Sequence, residues 1–197
     1  MAHAAEAASL MRHQPKFFCT WEERRFVLLT GSAYLASLFL VILAVLVVGL
    51  RFFDIRVGID VQRLIGEPAC MPSLVYVWRP EKSGFKPAIG EYVIARMPNS
   101  GFSVGAREGD RIVKKVAAGP GDKVLIQGTE LWINDKHADR LWLANSLEGK
   151  KAGVFDARLE LEQGQYFLMG TTKESFDSRY WGIVQSESII GRALPLF

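Results

Sequence analysis

A chain of 197 residues, 49% hydrophobic and 23% charged, has room for one membrane anchor and one domain of ordinary size. Its net charge of +3 falls far short of the basic stripe that a nucleic-acid-binding surface needs, so no nucleic-acid partner is expected. The 2 cysteines, Cys19 and Cys70, flank a long apolar segment; if it spans a bilayer they lie on opposite sides, and no disulfide framework is implied.

Met1 to Thr20 is Ala-rich and polar without hydrophobic periodicity, and with the charged run Glu22-Glu23-Arg24-Arg25 it reads as a tail, residues 1–25. Phe26 to Leu50 then runs 25 residues without a charge. As helix it would reach about 37 Å against a hydrocarbon core of roughly 30 Å, long enough to span with some tilt. The run is too long for the apolar region of a cleavable signal peptide, and no small-residue cleavage site follows it, so it is read as an anchor. Arg12, Lys16, Arg24 and Arg25 on one side against Arg51, Arg56 and Arg63 on the other do not decide its orientation. Residues 51–197 form the remaining domain, and 147 residues are enough for one core without staples.

That domain reads as β. Extended pieces are expected at Phe52 to Val61, Ser73 to Trp78, Gly90 to Arg96 and Asp110 to Ala118. A hairpin follows, Asp122 to Gln127 with Glu130 to Asn134, turning at Gly128-Thr129, and later strands at Gln165 to Met169 and Tyr180 to Val184. Asp139 to Arg158 carries no clear pattern. Short strands between Gly and Pro turns, with little helical periodicity, predict a mainly antiparallel β fold of barrel or coiled-sheet type.

Three stretches carry chemistry. In Gly170 to Val184, GTTKESFDSRYWGIV, Ser175 and Ser178 interleave with Asp177 and Arg179, and an acid and a base two apart on an extended chain point to one side, as a buried clamp would. By itself an Asp-x-Arg pair is more often a surface salt bridge worth little. In Asp110 to Ala118, alternation sends Lys114 and Lys115 to opposite faces, so one can be buried among Ile112, Val113, Val116 and Ala117 while the other stays wet. A lysine in such a setting can serve as the base of a nucleophile, because desolvation disfavours the charged amine. The third stretch, Pro68-Ala69-Cys70-Met71-Pro72, offers a thiol between two prolines. The one histidine beyond the apolar run is His137, in an exposed-looking segment, which argues against Ser-His-Asp chemistry and His-based metal sites; no metal or other cofactor is expected. Gly101-Phe102-Ser103-Val104-Gly105 fits G-x-S-x-G, but that elbow needs an α/β sheet and a downstream histidine.

Together these stretches resemble the type I signal peptidases, membrane proteases with a Ser/Lys dyad, and most closely their conjugative-transfer branch, the TraF-type prepilin peptidases. The resemblance runs from about Phe26 to the C-terminus. Against the pattern Lys-Arg-x-x-Gly-x-Pro-Gly-Asp it sets Lys114 at the catalytic lysine and Lys115 at the basic neighbour, although Ala118 stands at the first glycine. Against Ser-x-Asp-Ser-Arg-Tyr-x-Gly-x-Val, Ser175 to Val184 matches closely; the implied roles are Ser175 orienting Lys114, and Asp177 with Arg179 as a structural pair. The family's Gly-Asp-Asn opening is Gly170-Thr171-Thr172 here. The branch's Ser-x-Pro-x-Gly-x-Tyr falls on Cys70 to Tyr76, which sets Cys70 at the nucleophile and Leu74 at the glycine. A working Cys/Lys peptidase, a silent relative and an engineered substitution all fit that cysteine. Pro68 stands where general signal peptidases carry an oxyanion-binding hydroxyl, so the hole would rest on the Cys70 N–H and a second donor.

The resemblance implies a signal-peptidase-like β barrel of coiled sheets with one N-terminal transmembrane helix, in the bacterial inner membrane, its N-terminus cytoplasmic and its catalytic domain periplasmic. The implied substrate is a prepilin or other preprotein with small residues before the cut, matured and in some members cyclised for a conjugative type IV secretion pilus. The alternatives are a general signal peptidase I, a silent pilin-binding assembly factor and a LexA-like self-cleaving regulator. The spacing Cys70-x-Pro72 argues against the first, and the anchor and absent DNA-binding helix pair against the last.

Overall fold

The computed structural model describes residues 21–64, 66, 69–99, 107–144, 146–147 and 153–196. Pro68 and Ser103 lie outside the described residues. The chain divides at Gly49/Leu50 into two compact units.

Helix α1 runs Trp21–Phe52, and within it Leu28–Phe52 is a 25-residue stretch long and apolar enough to cross a membrane. The helix therefore continues past Leu50, and Phe52 is its last residue rather than the start of a strand.

The second unit is built on two antiparallel sheets. The larger has seven strands in the order β1-β2-β11-β3-β4-β9-β10: β1 Arg56–Ile59, β2 Val75–Pro80, β3 Tyr92–Arg96, β4 Arg111–Ala118, β9 Gln165–Met169, β10 Val184–Gln185 and β11 Ile189–Pro195. The smaller has the order β7-β6-β5-β8: β5 Lys123–Gln127, β6 Glu130–Ile133, β7 Lys136–Arg140 and β8 Ala157–Glu160. This is the mainly antiparallel β architecture that the alternation and the Gly and Pro turns predict. One turn of helix, α2 at Val61–Leu64, follows β1, so the first extended piece is shorter than expected.

Alternation explains which faces are covered. Along β4, Lys114, Val116 and Ala118 are buried, with partly covered neighbours between them. Val124 and Ile126 of β5 are buried between exposed Lys123 and Gln127, and they pack with Leu131, Leu161 and Phe167 in a core under the smaller sheet. Tyr76, Trp78, Ile94 and Ala193 form a second core under the larger sheet, and Val93, Val116, Leu168 and Ile189 a third.

Three strands went unread in the sequence. β7 is a polar edge strand, and its hairpin with β6 turns at Asn134 and Asp135, both at positive φ (50° and 60°), a conformation these two residue types tolerate. β8 is a polar edge strand too, entered from the patternless stretch between Asp139 and Arg158. β11 inserts between β2 and β3, and Gly191 makes that possible, because a Cβ there would meet the Arg79 carbonyl oxygen at 2.5 Å and the Trp78 ring at 2.8 Å.

The expected strand Tyr180 to Val184 is corrected. Ser178–Trp181 is one helical turn, α3, and β10 begins only at Val184. Asp177 caps that turn, its carboxylate accepting from the Arg179 backbone N–H, and an N-capped start favours helical over extended backbone.

Candidate active site

Three segments far apart in sequence meet around one cleft of about 600 Å³, whose walls include Cys70, Lys114, Phe176 and Trp181. Lys114 comes from the buried face of β4 and is 2% exposed. Lys115, its neighbour, points the other way with its Nζ 6.0 Å from the centre of the Tyr92 ring, so alternation divides the two lysines as expected. Lys114 Nζ donates to Ser175 Oγ at 2.9 Å, and Ser175 is fully buried. The Trp181 ring lies beside the amine, its centre 5.8 Å from Nζ. Trp181 Nε1 is the one buried side-chain nitrogen or oxygen without a hydrogen-bond partner among the described residues.

Cys70 is partly exposed and is not engaged in a disulfide. Its segment is held by a backbone and a side-chain hydrogen bond from the loop before Ser175. Thr171 N–H donates to the Cys70 carbonyl at 3.0 Å, and Thr172 Oγ1 donates to the Ala69 carbonyl at 2.6 Å. Two places further on, the Pro72 carbonyl accepts from Arg63 Nη1. Gly170 allows this approach: a Cβ there would stand 2.0 Å from Ser175 Oγ and 2.6 Å from the Cys70 carbonyl oxygen.

Asp177 and Arg179 are both buried, which excludes the surface salt bridge as the reading of this pair. The pair forms across the cap of a helical turn rather than along an extended strand, and the clamp is present. Asp177 Oδ2 accepts from Arg179 Nη2 at 2.6 Å and from Gly170 N–H at 2.8 Å, and Oδ1 from Arg179 Nε at 2.8 Å. Arg179 then reaches outward. Nη1 donates to Asp139 Oδ2 at 2.8 Å and to the Arg140 carbonyl at 3.2 Å, and Nη2 to the Ser175 carbonyl at 3.2 Å. Burial works against the guanidinium's charge, but its hydrogen bonds to Asp177 and the charges of Asp177 and Asp139 more than offset that, and its pKa lies above the ordinary arginine value. Beside the clamp, Tyr180 Oη accepts from Leu143 N–H at 2.8 Å while burial raises its phenol's pKa. Ser178 Oγ accepts from Leu168 N–H at 2.9 Å, tying the turn to β9.

All five residues singled out in the sequence, Cys70, Lys114, Ser175, Asp177 and Arg179, thus lie in one neighbourhood. Sequence reasoning missed Gly170, Thr172, Asp139 and Trp181. Gly170 matches the glycine of the family's Gly-Asp-Asn opening but was given no role, and Thr172 stood where that opening is broken. Asp139 lay in the patternless stretch and carried no signal. Among the described residues no three His, Cys, Asp or Glu side chains gather as a metal site requires.

The chain is 33% identical to signal peptidase I U of Bacillus subtilis over 97 residues, covering 46% of this chain and 52% of that protein. It is 29% identical to probable signal peptidase I-2 of Synechocystis over 89 residues, covering 45% and 38%, and 28% identical to signal peptidase IB of Staphylococcus aureus over 101 residues, covering 44% and 53%. The chain therefore spans about half or less of the length of these curated relatives. A crystal structure of a signal peptidase I from Enterococcus faecalis aligns with 53% of this chain and 94% of its own at 24% identity, with a TM-score of 0.34. The family profile described as signal peptidase, peptidase S26, matches residues 32–197, the whole of the second unit and most of α1, so the chain belongs to the S26 signal peptidase family.

Proposed function

We propose that this chain is a membrane-anchored endopeptidase in which Cys70 is the nucleophile and Lys114 its proton-transfer partner, and that it matures the prepilin of a conjugative type IV secretion pilus. The observation that carries the reading is the buried hydrogen bond from Lys114 Nζ to Ser175 Oγ at 2.9 Å, on the wall of a cleft that Cys70 also lines. A buried lysine aimed by a buried serine has little structural purpose that a leucine would not serve, since burying an amine costs free energy. On a cleft that a thiol also lines, it can move protons.

The chemistry follows from the groups present. A Cys/Lys pair can rest as thiolate and ammonium. The Cys70 sulfur attacks the scissile carbonyl carbon of a substrate lying extended in the cleft, and the oxygen takes up negative charge facing the Cys70 N–H. As the tetrahedral intermediate collapses, the C–N bond breaks and Lys114 gives its proton to the departing amine. Water then attacks the thioester, Lys114 takes a proton back, and the acid product leaves. If the amine of a polypeptide's own N-terminus replaces water, the product is a ring. Ser175 keeps the lysine aimed throughout, and Asp177 with Arg179 holds the wall on which Ser175 sits.

The resemblance implies that the protein sits in the bacterial inner membrane, N-terminus cytoplasmic and residues 51–197 periplasmic, with the bilayer itself as a partner. The conjugative assignment rests on the spacing Cys70-x-Pro72. The second reading, a general signal peptidase I, is favoured by the relatives named above. Incubating the detergent-solubilised protein with a pilin precursor and with a secretory preprotein, both ending their leaders in small residues, separates the two. Cutting confined to the pilin precursor supports the conjugative reading, equal cutting supports the general one, and no cutting of either contradicts both.

A further inference from the structure

The residues flanking Cys70 are fixed by two consecutive residues that the motif reading treated as a gap. Thr172 Oγ1 donates to the Ala69 carbonyl at 2.6 Å, and Thr171 N–H donates to the Cys70 carbonyl at 3.0 Å. These two carbonyls belong to the two peptide planes on either side of the Cys70 Cα. Because a peptide unit is planar and trans, the direction of the Ala69 C=O also sets the direction of the Cys70 N–H, which points the opposite way. The hydroxyl of Thr172 therefore fixes the direction of the Cys70 N–H. A carbonyl that accepts a hydrogen bond also polarises its own peptide N–H and makes it a stronger donor.

Thr172 is itself held from the far side. Its carbonyl accepts from Ser175 N–H at 3.3 Å and from Arg179 Nη2 at 3.4 Å. One residue thus joins the nucleophile's backbone to the loop that carries Ser175 and to the buried arginine. Ala69 and Thr172 are 103 positions apart in the chain, so the contact has no part in local chain geometry.

We infer that Thr172 is a positioning residue of the oxyanion hole: its hydroxyl holds and polarises the peptide between Ala69 and Cys70 so that the Cys70 N–H meets the substrate's carbonyl oxygen. The inference rests on the reading of Cys70 as nucleophile, and it accounts for a hole that has a proline at the usual hydroxyl position. Thr172→Val keeps the shape and removes the donor, while Thr172→Ser keeps the donor and loses a methyl group.

The test uses full-length protein in detergent and a peptide spanning the pilin leader junction, with hydrogen exchange at the Thr171 amide followed by mass spectrometry. Thr172→Val is expected to lower kcat by about 10- to 100-fold with KM within about threefold, since only transition-state charge is affected. Thr172→Ser is expected to restore kcat to within about threefold, and Thr171 amide protection to fall in the Val variant alone. A rise in KM at constant kcat, a Ser variant no better than Val, or unchanged Thr171 protection overturns the proposal. If no variant and no unmodified protein cuts the peptide, the peptidase reading fails, while the exchange result still decides whether Thr172 latches the Cys70 backbone.

Discussion

At the scale of single residues the site depends on atoms that stand closer than most side chains allow. The 2.9 Å contact from Lys114 Nζ to Ser175 Oγ fixes one rotamer of a long flexible side chain. Ser175→Ala removes that restraint while leaving the amine in place, so kcat should fall by about 100-fold with the fold intact, read from peptide cleavage alongside thermal unfolding. Gly170→Ala is the converse case. The added methyl meets Ser175 Oγ at 2.0 Å and Ser175 Cβ at 2.4 Å, and the Cys70 carbonyl at 2.6 Å, so relief requires backbone movement. Overpacking of that kind costs about 1–3 kcal/mol or more, and the variant should lose both cleavage and several degrees of Tm in a calorimetric scan. Cys70, Lys114 and Ser175 were legible in the sequence because each sits inside a short motif whose chemistry can be named. Thr172 and Gly170 were not, because their partners are reached only after the chain has folded.

Elements tell a different story, in which a right expectation had a wrong cause. Asp177 and Arg179 were expected to pair across an extended strand, and they pair across the N-cap of α3 instead. A two-residue spacing serves both geometries, so periodicity could not separate them. The short apolar run around Tyr180 and Trp181 looked like strand, and it was the capping aspartate before it that decided for a helical turn. The same clamp explains why β7 matters despite its polar sequence. Arg179 Nη1 reaches Asp139 and the Arg140 carbonyl at the end of β7, so the smaller sheet is tied to the wall of the site. Arg179→Met should leave the Asp177 carboxylate buried without its main partner, a loss of about 3–5 kcal/mol. Thermal unfolding of residues 51–197 in the full chain should then shift down by about 10 °C. Because the pKa of Arg179 is raised, the stability it contributes is complete below the ordinary arginine pKa and is lost only as pH rises through the folded one. Arg179 should accordingly add no slope to the Tm of the unmodified protein from about pH 6 to 9, and a steep slope there would point to another group.

On the scale of the whole molecule, composition and hydropathy were enough to separate an apolar helix from a β domain, and the Gly and Pro turns were enough to make that domain antiparallel. Sheet order was out of reach. β11 lies between β2 and β3, a pairing that joins the C-terminal strand to strands more than 90 residues earlier, and nothing local in Ile189–Pro195 announces it. The apolar stretch Leu28–Phe52 carries its own prediction. The full chain should pellet with membranes and resist alkaline carbonate extraction, whereas a chain beginning at Arg51 should not; release of the full chain by carbonate would contradict the anchor.

The proposed dyad of Cys70 and Lys114 acting on a prepilin underlies the cleavage expectations. Its most direct test is mass spectrometry of the pilin precursor co-expressed with the unmodified protein, with Cys70→Ser, with Cys70→Ala and with Lys114→Ala. Mature pilin is expected with the unmodified protein, and precursor alone with the two alanine variants. Cutting by Cys70→Ser alone would contradict the dyad, making the chain as it stands a binding protein built on a peptidase fold, and cutting that survives Cys70→Ala would place the nucleophile elsewhere.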